Sequence, residues 1–299
     1  MLKRNEFEVL RYLEKNRNAK HSIKEIADQL FLSISFVKEA IELLVKKNMI
    51  DADLCISEEG LNELEKYRVK RAIILAAGFG SRMMPATSDK PKPMVMVNGV
   101  RIVETLLEAL TEAGVEEITI VGGYCFDKLA LLKEKYSNVR LIENKEYNKT
   151  NNISSVILSL DFLKDGTYLC EADLYISNPA IIEKYHYSSN ILGSYSLQTD
   201  DWSYRMQDGF VTEYQKGNTF CYNYYGISYW TKEDCEKLRR DFKEVYFKEN
   251  GKDYFWEFIP FVLKKENYHV EIKPCNKEDI MEIDNYYELR ELDPSYPEA

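Results

Sequence analysis

Arg82, Lys92, Asp173 and Asp284 are the side chains of this sequence best suited to chemistry on a polyphosphate, and a short glycine loop stands beside the first two. The loop reads Leu75-Ala76-Ala77-Gly78-Phe79-Gly80-Ser81-Arg82 and is followed by Lys90-Pro91-Lys92-Pro93-Met94. Glycines there let backbone N–H groups approach phosphate oxygens with no Cβ in the way. Arg82 adds a forked cation suited to β- and γ-phosphates. Lys92 adds a point charge for an α-phosphate, where charge shifts during transfer. Asp173 follows the apolar run Thr167 to Cys170, and a carboxylate just past a buried strand is costly to keep unless it coordinates something. Mg²⁺ takes hard oxygen ligands beside substrate phosphates. Asp284, in Met281-Glu282-Ile283-Asp284-Asn285, is the expected second ligand, with N-capping of the helix that follows as its alternative use.

Groups so far apart in sequence need a scaffold that gathers them. Arg71 to Ala77 is almost unbroken in apolar residues, as in a buried parallel strand. After Lys92 the pattern alternates: a helix from Val103 to Ala113 closed by Gly114, a strand over 118–121, a helix through Leu129 and Leu132, a strand over 139–142, a helix over 154–162 and the strand before Asp173. This is the alternation of a doubly wound α/β sheet. Ligands of such sheets collect at the carboxyl ends of the strands, where Gly78, Gly122 and Asp173 all fall.

The pairing of Leu-Ala-Ala-Gly-x-Gly-x-Arg with Lys-Pro-Lys-Pro resembles the nucleotidyltransferase superfamily that activates sugar phosphates and phospho-alcohols. The resemblance implies a Rossmann-like nucleotidyltransferase fold over residues 69–299, with a mixed, mostly parallel central sheet, and Mg²⁺ held by Asp173 and Asp284. Gly122-Gly123-Tyr124 and Asn151-Asn152-Ile153-Ser154-Ser155 resemble segments that line the nucleotide pocket of bacterial phosphocholine cytidylyltransferases. CTP is therefore the expected nucleotide, surrounded by Leu75, Ala76, Ala77, Gly78, Gly80, Ser81, Arg82, Lys92, Gly122, Tyr124, Asn151, Asn152, Ser155 and Asp173. An Asn side chain can both donate to and accept from a cytosine edge, although Asn and Ser are also ordinary helix caps.

Asp200-Asp201-Trp202 and Tyr254-Phe255-Trp256-Glu257 resemble the choline-contacting segments of the same enzymes. A quaternary ammonium has no N–H to donate and is held by ring faces and a nearby carboxylate. Trp202, Tyr225, Trp256 and Glu257 are the expected choline residues, and the expected reaction is transfer of CMP from CTP to phosphocholine, giving CDP-choline and pyrophosphate. An acceptor already anionic near neutral pH needs no general base, which suits a chain with only His21, His186 and His269. The alternatives are 2-aminoethylphosphonate or phosphoethanolamine, whose primary ammonium would seek carboxylates; a sugar 1-phosphate; and a transcriptional regulator whose large domain senses a ligand.

Residues 1–68 read as a separate small domain. Phe7, Val9, Leu10 and Leu13 form one helix face, Ser22 and Glu25 a capping box, and Val37, Ile41 and Leu44 the face of a third helix starting near Ser33 or Ser35. Met49 to Ile56 reads as a hairpin and Ser57 as the cap of a closing helix through Tyr67. The order resembles a winged helix-turn-helix. Its positive and negative charges nearly balance and the expected wing offers Asp51 and Asp53, so DNA contact is the less favoured use, behind dimerisation or protein contact. The formal charge of −10 argues against a nucleic-acid coat. The six cysteines lack Cys-x-x-Cys spacing, and the sequence has neither an apolar leader nor a membrane-length apolar run, so a cytoplasmic enzyme is expected. A homodimer is left open.

Overall fold

The computed structural model describes residues 1–298. They divide into two compact units: one holds Met1–Arg68 together with Tyr185–Tyr187, and the other the rest of the chain.

In the first unit, helices α1 (Arg4–Lys15), α2 (Ile23–Leu30), α3 (Ile34–Lys46) and α4 (Glu58–Leu64) surround Phe7, Leu10, Ile26, Val37, Leu44 and Leu64. Their starts follow local chemistry. Ser22, Ser33 and Ser57 each accept a backbone N–H three residues on, and Glu25 completes the capping box. The expected hairpin over 49–56 is reduced to a single bridge between Ile50 and Ile56. Asp51 is the reason: its Oδ1 accepts from the N–H groups of Asp53 and Cys55, each at 2.9 Å, so a side chain closes the turn where a ladder would have run. Tyr185 joins the core of this unit.

The second unit is built on a seven-stranded sheet. Its strands, in chain order, are β1 (Arg71–Ala76), β4 (Glu117–Gly122), β5 (Val139–Glu143), β6 (Thr167–Glu171), β8 (Asn190–Gln207), β9 (Phe210–Trp230) and β10 (Glu271–Pro274); their spatial order is β10-β8-β9-β6-β1-β4-β5. Between β1 and β4 lie the short pair β2 (Met96–Val97) and β3 (Val100–Arg101) and helix α5 (Ile102–Glu112). A second two-stranded sheet pairs β7 (Leu174–Ile176) with β11 (Ile280–Glu282). β1 runs parallel to β4 and β6, whereas β9 runs antiparallel to β6 and β8. Ala72 to Ala76 are all buried, as a central parallel strand requires, and each fully buried Ile of β1 contributes about 1.5–3 kcal/mol.

One packed core face carries α5, and the other carries α7 (Ile153–Ser159) and α8 (Lys232–Tyr246). The segment expected as a helix through Leu129 and Leu132 is a 3-10 stretch, Phe126–Leu131, followed by the short α6 (Leu132–Lys135). A last helix, α9 (Tyr286–Leu292), follows β11. All six cysteines are free, and no described helix is long and apolar enough to cross a membrane.

Candidate active site

The carboxyl ends of β1 and β6 open onto one cavity of about 390 Å³, within the range of small-molecule sites. Its wall takes in the glycine loop from Leu75 to Arg82, Lys92, the start of α7, the segment Glu171 to Asp173, and Asp284. Gly80 is left-handed (φ +62°), and a Cβ there would stand 2.9 Å from Cβ of Lys92. The loop can thus lie directly against the lysine only because this residue has no side chain. The Thr87 hydroxyl donates to Gly80 O at 2.9 Å and holds the bend.

Charged groups meet on one side of the cavity. Lys92 is 8% exposed, and its Nζ donates to Asp173 Oδ2 at 2.8 Å and Asp284 Oδ1 at 3.2 Å. Arg82, largely in solvent, donates from Nη2 to the same Asp284 oxygen at 3.0 Å. Burial works to lower the Lys92 pKa, but Asp173 and then Asp284 outweigh it and hold the ammonium above its ordinary value.

The two acids come together through the small sheet. Glu282 of β11 sits opposite Leu174 of β7, and the Ile283 N–H donates to Asp173 O at 3.3 Å. The cap of α9 is Asn285, which accepts from Glu288 N, so the Asp284 carboxylate is left for the cavity. Glu282 is a third acid that sequence reasoning passed over, although it lies two residues before Asp284. Asp173, Glu282 and Asp284 offer oxygens within 4.8 Å of one another. Burial, then Asp173 and Asp284, push the Glu282 carboxyl well above the usual range. An all-carboxylate donor set fits a hard cation such as Mg²⁺.

Of the expected CTP residues, Leu75, Ala76, Ala77, Gly78, Gly80, Ser81, Arg82, Lys92, Asn151, Asn152, Ser155 and Asp173 line the cavity. Gly122 and Tyr124 do not. Gly122 is covered by Leu129 and Phe126, while Tyr124 braces the glycine loop from outside, its hydroxyl donating to Thr87 O at 3.2 Å. The Asn side chains are already engaged: Asn151 donates to Asp253 O, and Asn152 donates to Glu171 and accepts from Trp256 N. Ser155 accepts from Asn144, a buried residue that also holds Ser154 and lines the same cavity. Tyr147 and Thr150 join that wall without any motif to announce them, and Phe255 joins it from the Tyr254-Phe255-Trp256-Glu257 segment.

The expected choline residues are dispersed. Trp256 is fully buried, edge-to-face with Trp230, and its indole N–H donates to Glu171 at 3.3 Å, so it stands behind the cavity wall. Tyr225 is buried against Ser194, and Glu257 is buried beneath Tyr224. Trp202 is half-buried, stacked on Tyr214 at 4.8 Å, nearly perpendicular to Phe258 at 5.7 Å and tilted against Phe255 at 6.4 Å. A two-tryptophan cage is not formed, because Trp256 is drawn inward by core packing and its own N–H bond. The acidic residue that joins Asp173 and Asp284 in lining the cavity is Glu171, the last residue of β6.

A MobA-like NTP transferase domain is matched over residues 72–189. A 2-aminoethylphosphonate cytidylyltransferase of Lancefieldella rimae is 37% identical over 233 residues, covering 75% of this chain and 92% of that protein. A choline-phosphate cytidylyltransferase of Haemophilus influenzae is 31% identical, covering 75% of this chain and 98% of its own. The solved CTP:phosphocholine cytidylyltransferase of Streptococcus pneumoniae superposes with a TM-score of 0.69 at 29% identity, over 76% of this chain and 99% of that one.

Proposed function

The chain belongs to the cytidylyltransferase family of nucleotidyltransferases, and from that premise we propose that it transfers CMP from CTP to a small phosphonate or phosphate carrying a cationic amine, with 2-aminoethylphosphonate as the favoured acceptor. The observation that carries the reading is the convergence of the glycine loop, Lys92, Asp173 and Asp284 on one cavity, with Glu282 beside the two acids and Glu171 on the remaining wall. A primary ammonium finds an oxygen to donate to there. Phosphocholine is the second reading, favoured by the aromatic ring of Phe255 on the cavity wall, with Trp202 in ring contact with it at 6.4 Å.

An oxygen of the acceptor's phosphonate attacks the α-phosphorus in line. One P–O bond forms as the bond from the α-phosphorus to the bridging oxygen breaks, and pyrophosphate leaves with that electron pair. The nucleophile is anionic near neutral pH, so no side chain has to take a proton. Lys92 lies where it offsets repulsion between the two anions, and Arg82 with the loop amides receives the charge of the leaving pyrophosphate. Mg²⁺, held by Asp173, Asp284 and Glu282, would supply further charge neutralisation at the triphosphate.

The test is pyrophosphate release with Mg²⁺, each of four NTPs, and a panel of 2-aminoethylphosphonate, phosphoethanolamine, phosphocholine and sugar 1-phosphates. Turnover with CTP and an amine-bearing acceptor is expected. Activity confined to sugar phosphates would overturn the acceptor while sparing the fold.

A further inference from the structure

Behind the cavity wall lies an acidic pair that CMP transfer itself does not use. Glu171 faces the cavity, and Glu257, 2% exposed, lies behind it. Each donor to Glu171 is neutral and goes to one oxygen: Oε1 accepts from Asn152 Nδ2 at 3.1 Å and from Trp256 Nε1 at 3.3 Å, with the Tyr224 hydroxyl oxygen 3.5 Å away. Glu257 Oε1 accepts from the Tyr224 hydroxyl, while its buried Oε2 has no donor. Among the described residues, no Lys or Arg bonds either acid; Lys92 is taken up by Asp173 and Asp284.

The fold also makes room for this pair. Gly226 is left-handed (φ +66°), and a Cβ there would fall 2.3 Å from Glu171 Cγ. Two adjoining buried carboxyls with no cation beside them are costly to keep. Such a site is completed by a cation with several N–H donors arriving through the cavity. An alkylammonium has three, and a quaternary ammonium has none.

We propose that Glu171 receives the primary ammonium of the acceptor, and that Glu257 and Tyr224 are positioning residues that set the preference for a primary over a quaternary amine. The inference rests on the reading that the acceptor carries an amine. Glu171 stands two residues before Asp173, about 6–7 Å along an extended chain, so it can reach the amine end of a short acceptor whose phosphonate lies at Lys92 and Asp173. Glu257 supplies a second negative group behind Glu171, and Tyr224 donates its one hydroxyl proton to Glu257 with its oxygen 3.5 Å from Glu171.

The experiment measures steady-state pyrophosphate release by the full chain, and by its Glu257→Gln, Glu257→Asp and Tyr224→Phe variants, with 2-aminoethylphosphonate and with phosphocholine. Calorimetric CTP binding without acceptor reports that each variant is folded. Glu257→Gln is expected to raise KM for 2-aminoethylphosphonate by about tenfold or more and Tyr224→Phe by several-fold, with kcat within about threefold, KM for phosphocholine little changed, and Glu257→Asp retaining part of the preference. If Glu257→Gln no longer binds CTP, Tyr224→Phe decides. Equal changes for both acceptors, or none for either, in a protein that does use 2-aminoethylphosphonate would overturn the inference alone. A wild-type protein that uses no amine-bearing acceptor would overturn the underlying reading, and the inference with it.

Discussion

Lys92 and Arg82 lie on the carboxylates that a divalent cation would also need. Competition between them couples the two ligands: a triphosphate draws both side chains toward its oxygens and frees Asp284, so CTP and the metal should each strengthen the other's binding by the same factor. Replacing Arg82 with Ala should therefore tighten Mg²⁺ binding to the CTP-free protein by several-fold to about tenfold, read by calorimetry. Unchanged affinity would remove the competition. Lys92→Ala and Asp173→Asn should each lower kcat by about 10² to 10⁴, with Glu282→Gln intermediate, while far-UV spectra stay as in the wild type. Near-normal turnover in Lys92→Ala or Asp173→Asn would strip that residue of its role.

Elements rather than residues decide which acids can meet. The three-residue ladder of β7 with β11 sets Glu282 beside the Asp173 segment, and Asn285 takes over the cap of α9. In the helical unit, α1 is held to the end of α3 by Glu6, which is 1% exposed and accepts from Lys47 Nζ at 2.7 and 2.8 Å. Burial alone would raise the Glu6 pKa, but the bonds from Lys47 and the Lys3 backbone take it below 4.5. A depressed folded value means that this stabilisation is present above pH 4.5 and is lost as pH falls through the folded pKa. Glu6→Gln should cost about 1–2 kcal/mol at pH 7, discounted because Lys47 is partly in solvent. The measurement is hydrogen exchange of peptides from α1 and α3 in the full chain, and the difference from wild type should shrink as pH falls well below 4.5. An equal difference at acid pH would assign the effect to packing.

At the scale of the whole molecule, the curated relatives are nearly accounted for by a match to three-quarters of this chain, a length close to that of the second unit. Several of the helical unit's cations already hold carboxylates. Arg11 and Arg17 pair with Glu8 and Glu14, Lys47 with Glu6 and Lys66 with Glu63, while the exposed residues at the start of α3 include Ile34 and Phe36. Phosphate contact through those four cations would break the pairs at a cost that offsets part of the gain from counterion release. The full chain is expected to leave duplex DNA unshifted in gels at about 0.15 M salt, where nonspecific binders of low charge are already weak. A discrete shift with a steep salt dependence would restore the DNA reading.

Local chemistry was legible in the sequence. The glycine loop, Lys92, Asp173 and Asp284, the serine caps, and the alternation of strands and helices each depend on neighbours within a few residues or on a buried strand of one hydrophobic character. What could not be read was side-chain direction in crowded places. Trp256 and Glu257 follow Phe255 in one motif, yet only Phe255 faces the cavity, because packing against Trp230 and the hydroxyl of Tyr224 turn the other two inward. Glu171 and Glu282 gained their surroundings from strands far away in the chain, and the carboxyl pKa shifts exist only once those strands close around them. Burial and long-range pairing are properties of the closed fold, and they alone made one acid a wall of the cavity and its neighbour a buttress behind it.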